Sequence, residues 1–459
     1  MKKLLLTGFA LVSMVSQAQS WVDQGTKFPV NFGVDEIDIV DANTVWTFAY
    51  DGSGGGTYPK IVSRTTNGGT TWTATNVTGP GSNALISDLS AYDANTAWIV
   101  TAGTGQAGSN PNRIWKTANG GTTWTQQTVG YDVNSFGNQI YFWDANNGWT
   151  NGDPLGGFFE MYKTSNGGTT WTLVPGRPAQ EGDFGYVALK EVVGDNIWFG
   201  TDVGRILHST DRGSTWTASY SPVLDFGGVT TCGSSGSMAF KDASNGLLIA
   251  VDGAKGGAGC VDTPNNLTAG LYSSSDAGMT WDPVTPTGPW YFGDITYVPG
   301  TANTYVSTGA NGGTTANPKP EWLGSSYSTD GGLTWTAIDA GGQRGKVQFL
   351  NPTTGWAGQF SDAAGTKGIL KFVGNLALGV SDNAMKSGLQ IYPNPASDVV
   401  TIKAKNEIQA VTVIDLSGKR VKSFTDAKQV NVSSLAKGTY ILQVFYVNGS
   451  VEQTKLIKK

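Results

Sequence analysis

The chain has 459 residues, enough for more than one domain, with 64 Gly, 16 Trp and only 14% charged side chains. Few helix formers and many Gly-punctuated runs rich in Thr, Val and Trp exclude a helical protein and predict an all-β one. Between Gln19 and Ala384 acidic residues outnumber basic ones 30 to 17, whereas from Met385 onward the basic residues lead 11 to 5. An acidic main body repels polyanions, so nucleic acid and anionic membranes are excluded as partners.

At the start, Lys2 and Lys3 precede the apolar run Leu4 to Val15, and Ser16-Gln17-Ala18 supplies small residues for cleavage. This pattern predicts an export signal over 1–18. No later stretch reaches the ~20 apolar residues a membrane-spanning helix needs, so no transmembrane segment is expected.

From residue 19 onward two phrases alternate. One is "DANTVW" ending at Trp46, repeated as "DANTAW" at Trp98 and "DANNGW" at Trp149, with weaker forms ending at Trp198, Leu247, Tyr305 and Trp356. The other is the octet "TTNGGTTW" from Thr65, followed by relatives from Thr117, Thr164, Ser209, Ser274 and Ser328. Each unit reads as four short strands, and units of ~45–65 residues with four strands match propeller blades. The first phrase occurs seven times and the octet six. In the seventh unit the chain runs "KGILKFVG" and leaves without the turn. Trp21, in "SWVDQGTKF", has the context of the missing outer strand, so the N-terminus is predicted to close the ring against Ile369–Phe372. The expected fold is a seven-bladed β-propeller over 19–374.

The octet resembles the Asp-box (BNR-type) motif of sialidase-like, sortilin-like and photosystem-assembly-factor-like propellers. Its acidic position is filled here by Asn67, Asn119, Asn166, Asp211, Asp276 and Asp330. Asp or Asn at that place accepts hydrogen bonds from the turn's own amides. Uncharged Asn at half the sites marks the turns as structural, without metal or catalytic work. Lone His208 has no Cys or second His to share an ion, so no metal and no cofactor are expected.

Strands run alternately up and down, which puts the Asp-Ala-Asn turns and the octets on one face. The loops between second and third strands, and between successive units, share the opposite face. That face carries everything irregular, and long loops on a rigid scaffold are where sites lie. Cys232 and Cys260 both fall there, and an even pair in an exported chain reads as a disulfide. So do Tyr58, Phe158, Phe159, Trp290, Tyr291 and Trp322, rings suited to a sugar or a partner surface. Charged residues near the starts of innermost strands, Glu36, Asp88, Asp183, Asp225, Asp294, Arg344 and Lys346, are candidates to ring the central channel. Among them Asp294, Glu36, Asp88 and Asp225 are the candidate catalytic carboxyls, and Arg344 joins the candidate ligand-binding set of Trp290, Tyr291, Trp322 and Tyr58.

After a linker over 375–388, the segment 389–459 holds short strands suited to a small Ig-like β-sandwich. "YPNPASD" from Tyr392, "DLSGKRV" from Asp415, "LAKGTYILQV" from Leu435 and the terminal "KLIKK" resemble the type A C-terminal sorting domain of the type IX (Por) secretion system of Bacteroidetes. That resemblance implies export across the outer membrane, contact with the secretion machinery and its sortase, and release or attachment at the cell surface; a monomer is expected. The leading expectation is a propeller that binds a glycan or a protein through its irregular face. The alternative is a glycoside hydrolase or lyase of sialidase-like or xyloglucanase-like type. A sialidase resemblance implies an arginine triad, yet no Arg lies between Gln19 and Arg64, and only Arg177 and Arg344 fall near the candidate face.

Overall fold

The computed structural model describes residues 19–459 except 54, 104–111, 176–178, 181, 228–233, 253–267, 311–318, 379–388, 405, 416–418, 426–427 and 448–450. The expected signal, Arg177 and both cysteines lie outside the described residues. The chain divides into two compact units, Met1–Gly379 and Val380–Lys459.

In the first unit the described strands form seven four-stranded antiparallel sheets. Six are continuous in sequence, the first running Phe32–Ile39, Val45–Asp51, Ile61–Thr65 and Thr73–Asn76. Each innermost strand abuts that of the next sheet, and Val347–Asn351 of the seventh returns to Phe32–Ile39 of the first, so the sheets close into a ring. The seventh sheet takes its outer strand from Ser20–Gly25, which pairs with Gly368–Val373 and sets Trp21 opposite Phe372. The Trp21 indole donates to Ser325 Oγ at 2.8 Å and meets Phe349 and Phe372 edge-on. Gln24 Oε1 accepts from Trp72 Nε1 of the first sheet at 3.1 Å and from Trp356 Nε1 of the seventh at 3.2 Å. One glutamine thus spans the seam. The N-terminal strand covers a sheet edge that would otherwise be open to pairing with another chain.

The octets are hydrogen-bonded corners. Thr164 Oγ1 accepts from the Gly168 amide at 3.0 Å, and Asn166 Oδ1 accepts from the Thr170 amide at 2.9 Å. Asn166 Nδ2 then donates to Thr170 Oγ1 at 2.8 Å, whereas Asp211 Oδ2 accepts from Thr215 Oγ1 at 2.7 Å. The threonine hydroxyl reverses its role, so Asn and Asp serve the same turn. Gly167 and Gly168 take φ of 69° and 88°, a region where a Cβ is strained. The tryptophans of the other phrase lie deepest: Trp46, Trp98, Trp149, Trp198 and Trp356 are fully buried. Three of these indoles reach the next sheets' turns, as Trp98 Nε1 does to Gly167 O at 3.1 Å.

The second unit holds a three-stranded sheet and a four-stranded sheet over a core that includes Val400, Val411, Val413, Leu442, Val444 and Leu456. Asn394 of "YPNPASD" donates to Lys455 O at 2.7 Å and accepts from the Ile457 amide at 2.8 Å. The two distant motifs therefore clasp each other through one side chain.

Candidate functional site

An innermost strand has no sheet partner on its channel side, and its amides there need acceptors. The neighbouring sheet supplies them at every junction of the ring. Asp38 Oδ2 accepts from the Ala91 amide at 2.6 Å, and Asp88 Oδ2 from the Ile140 amide at 2.8 Å. Gln139 Nε2 reverses the polarity and donates to Tyr186 O and Leu189 O, both at 2.8 Å. Glu191 Oε1 takes the Phe240 amide at 3.1 Å, and Ser237 Oγ takes that of Ile295 at 3.3 Å. Asp294 Oδ2 takes the Val347 amide at 2.8 Å, and Gln348 Oε1 closes the circle on the Ile39 amide at 3.2 Å. Each sheet is tied to the next through a side chain of its innermost strand.

This arrangement corrects the reading of two candidate catalytic carboxyls. Asp294 also accepts from Ser237 Oγ at 2.6 Å, and Asp88 is fully buried with both oxygens engaged. They hold backbone, which explains their burial without any substrate. Asp225 is fully buried too, taking the Tyr186 hydroxyl at 2.5 Å and the Gly227 amide at 3.0 Å. Asp183 pairs with Arg205, and Arg344 Nε and Nη2 both donate to Asp339 Oδ2, at 3.0 and 2.6 Å.

Lys190, which carries no signal in the repeat pattern, is the centre of the channel. The innermost strand of the fourth sheet, Gly185–Val193, bulges between Gly185 and Lys190, and Ala188 takes φ of 48°. The bulge crosses to the second sheet, where Ala188 packs with Ile86 and Leu89. Lys190 Nζ lies 2.7 Å from both Asp88 oxygens and 3.7 Å from Glu36 Oε1. Burial alone would lower its pKa, but Asp88 and Glu36 more than offset this and hold the ammonium above its ordinary range. Above the bulge a cavity of about 470 Å³ remains, reaching Gly194, Lys241 and Pro299 at the strand ends. It therefore opens beside the Asp-Ala-Asn turns, on the face opposite the irregular loops.

Burial pushes the carboxyls on its wall upward, Asp38 to about 6 and Glu36 and Glu191 to about 8. For Glu191 the folded chain then keeps a proton that the unfolded chain releases near its ordinary 4.5. Its stabilising contribution is complete below that value and is lost as pH rises towards 8. Between pH 5 and 8.5 the native chain should lose on the order of 3 kcal/mol from this group. Glu191→Gln, neutral throughout and still able to accept from Phe240, should lose less over the same interval. Urea unfolding of both chains at the two pH values measures it, and parallel losses would contradict the assignment.

The aromatic candidates divide. Tyr291 is only 4% exposed, with its hydroxyl on Asp339 O at 3.3 Å and its ring over Gly324, where any Cβ would strike it. It cannot stack on a ligand, and it is withdrawn from the binding set. Phe159 is a core residue, whereas its neighbour Phe158 is 48% exposed and Tyr58 is 56% exposed. Trp290, Phe292 and Trp322 form an edge-to-face run, half-buried on the sixth sheet, with Lys319 over Trp322. His208 stacks on Trp198 at 4.4 Å and meets Asn196 Oδ1 at 2.9 Å, while burial lowers its pKa to about 4. It is a packing residue. Among the described residues no cluster of His, Cys, Asp and Glu could hold a metal ion.

The ring of sheets and its repeated corners define an Asp-box β-propeller followed by a separate β-domain. Residues 326–337 match the BNR/Asp-box repeat, and residues 390–459 match the secretion system C-terminal sorting domain (Por_Secre_tail). The tail marks the chain for type IX secretion to the cell surface, and no described helix is long and apolar enough to cross a membrane. No curated protein matches the chain by sequence. Similar solved structures include YCF48 from Cyanidioschyzon merolae, 16% identical over 78% of this chain and 99% of its own, with a TM-score of 0.51. A structure described as YCF48 bound to D1 peptide is 15% identical over 79% and 98% of the two chains, with a TM-score of 0.50. An ancestral GH74 enzyme aligns at 11% identity over 95% of this chain and 63% of its own, with a TM-score of 0.48. At such identities the likeness speaks for the fold alone.

Proposed function

We propose that the exported propeller is a recognition module that engages a protein partner through its irregular face. One observation carries this reading. Of the fourteen large hydrophobic side chains exposed among the described residues of the first unit, nine lie on that face. The repeated-turn face has three, Tyr92, Met279 and Leu333. Leu155 and Phe158 form a cross-strand pair at a hairpin tip in the third sheet, 43% and 48% exposed. Val133 and Phe184 come from the loops on either side, which are bonded to the hairpin through Asp153 N to Phe136 O at 2.9 Å and Gly185 N to Asp153 Oδ1 at 3.3 Å. Apolar side chains held in place by backbone bonds suit a desolvated protein interface. The aliphatic members favour a protein over the glycan alternative, because sugar rings stack on flat aromatic faces. A propeller of similar fold, YCF48, is described bound to a peptide, so the architecture accommodates such a ligand.

The hydrolase alternative requires two carboxyls free to face one substrate. Of the four candidates, Asp88, Asp225 and Asp294 are held by hydrogen bonds and lend it no support, which leaves Glu36.

Benzoylphenylalanine in place of Phe158 or of Leu333, followed by irradiation on intact cells, tests the reading. Protease-sensitive crosslinks are expected from position 158 and not from 333. Equal crosslinking from both positions, or saturable glycan binding that survives Phe158→Glu with Phe184→Glu, would reject it.

A further inference from the structure

The channel pocket is a second site, independent of the irregular face. The strand-tying bonds occupy one oxygen each of Asp38 and Glu191. Their second oxygens take no hydrogen bond from a described residue, and Glu36 has only the 3.7 Å approach of Lys190. Between these acceptors the wall carries the apolar side chains of Leu189 and Met238 and the rings of Tyr141 and Tyr297. Beneath the pocket the bulge of the fourth sheet packs Ala188 against Ile86 and Leu89 of the second.

We propose that this pocket binds a primary alkylammonium group, its methylene chain along Leu189, Met238 and Tyr297 and its charge among Glu36, Asp38 and Glu191. The charge balance sets the sign of the ligand. Once Glu36 and Glu191 ionise, near pH 8, the five acids Glu36, Asp38, Asp88, Glu191 and Asp294 outnumber the three lysines Lys190, Lys241 and Lys346. Lys190 is spent on Asp88. Lys346 lies in the field of Asp294, Glu36 and Asp35 without hydrogen bond or ion pair among the described residues. An added cation therefore enters an acidic cavity of low dielectric, where its attraction exceeds that in water. The tyrosine faces favour the same sign, and Leu189, Met238 and Tyr297 offer apolar surface to a methylene chain. The group could come from a free polyamine or from a lysine side chain of another protein.

Calorimetric titration of the full chain at pH 9, where Glu36 and Glu191 are ionised and alkylamines still protonated, and at low salt separates these cases, with cadaverine and N-acetyl-lysine methylamide as probes and hexanoate and pentanol as counterparts. Saturable binding of either amine, with hexanoate and pentanol silent, is expected. Cadaverine binding the tighter of the two indicates a polyamine, and the blocked lysine binding the tighter indicates a protein. Glu36→Gln should weaken the amine about fivefold or more, and Lys346→Met, which removes a competing cation, should strengthen it comparably. If Glu36→Gln fails to fold, Lys346→Met decides alone, and no gain in affinity overturns the proposal. Pentanol binding as tightly as cadaverine, or neither amine saturating below about 10 mM, also overturns it.

Discussion

A chain lacking residues 19–25 should melt at least ~10 °C below the intact protein, because it cannot close its ring. The loss has three parts. The ladder from Ser20 to Gly25 disappears, leaving the edge of Gly368–Val373 bare. The Trp21 ring leaves Phe349 and Phe372, and burial of such a side chain stabilises by roughly 2–3 kcal/mol. Two indole N–H groups, those of Trp72 and Trp356, lose Gln24, each costing about 1–3 kcal/mol if left unsatisfied. Gln24→Ala isolates this last part and should show only a fraction of the drop. Scanning calorimetry of the three chains is the measurement. A shortened chain melting within about 2 °C of the intact one would mean that the seam carries little of the stability.

Asp88→Ala should destabilise the protein by about 3–5 kcal/mol, the range seen when one partner of a buried ion pair is removed. Lys190 would keep its charge with only Glu36 at 3.7 Å, and the Ile140 and Leu89 amides would lose their acceptor. Asp88→Asn alone should also destabilise, and adding Lys190→Met to it should recover part of that loss, because no uncompensated charge remains. Recovery stays partial because the one amide oxygen serves only one of the Leu89 and Ile140 amides. Urea unfolding of the single and double variants reads the coupling directly. Strictly additive losses would show that Lys190 and Asp88 do not act as a pair.

Much of this fold is written in the repeat. The two phrases fix the phase of the strands, and the octet missing after Gly374 points to the strand at Trp21, where the structure pairs Trp21 with Phe372. The corners were legible because the same residues recur at the same turn. The channel was not. Asp38, Glu191 and Gln348 pair opposite Trp46, Trp198 and Trp356, whereas Asp88, Gln139 and Ser237 pair two residues beyond the corresponding repeat position. The ties thus divide between two registers and among four residue types that no repeated phrase marks. Lys190 follows a bulge that breaks the phase of the fourth sheet, and nothing local says that it reaches Asp88 102 residues away. Tyr291 was misjudged for a related reason. Its Gly-Pro context reads as an exposed loop, while its burial depends on Gly309 and Gly324 leaving room for the ring.

The account depends on buried acids serving as fasteners between adjacent sheets. Amide hydrogen exchange at Val347, compared between the native chain and Asp294→Ala, examines that claim at one fastener. Slow exchange in the native protein, with protection lost at Val347 and its neighbours alone in the variant, is the result expected. Rapid exchange at Val347 in the native protein would contradict it.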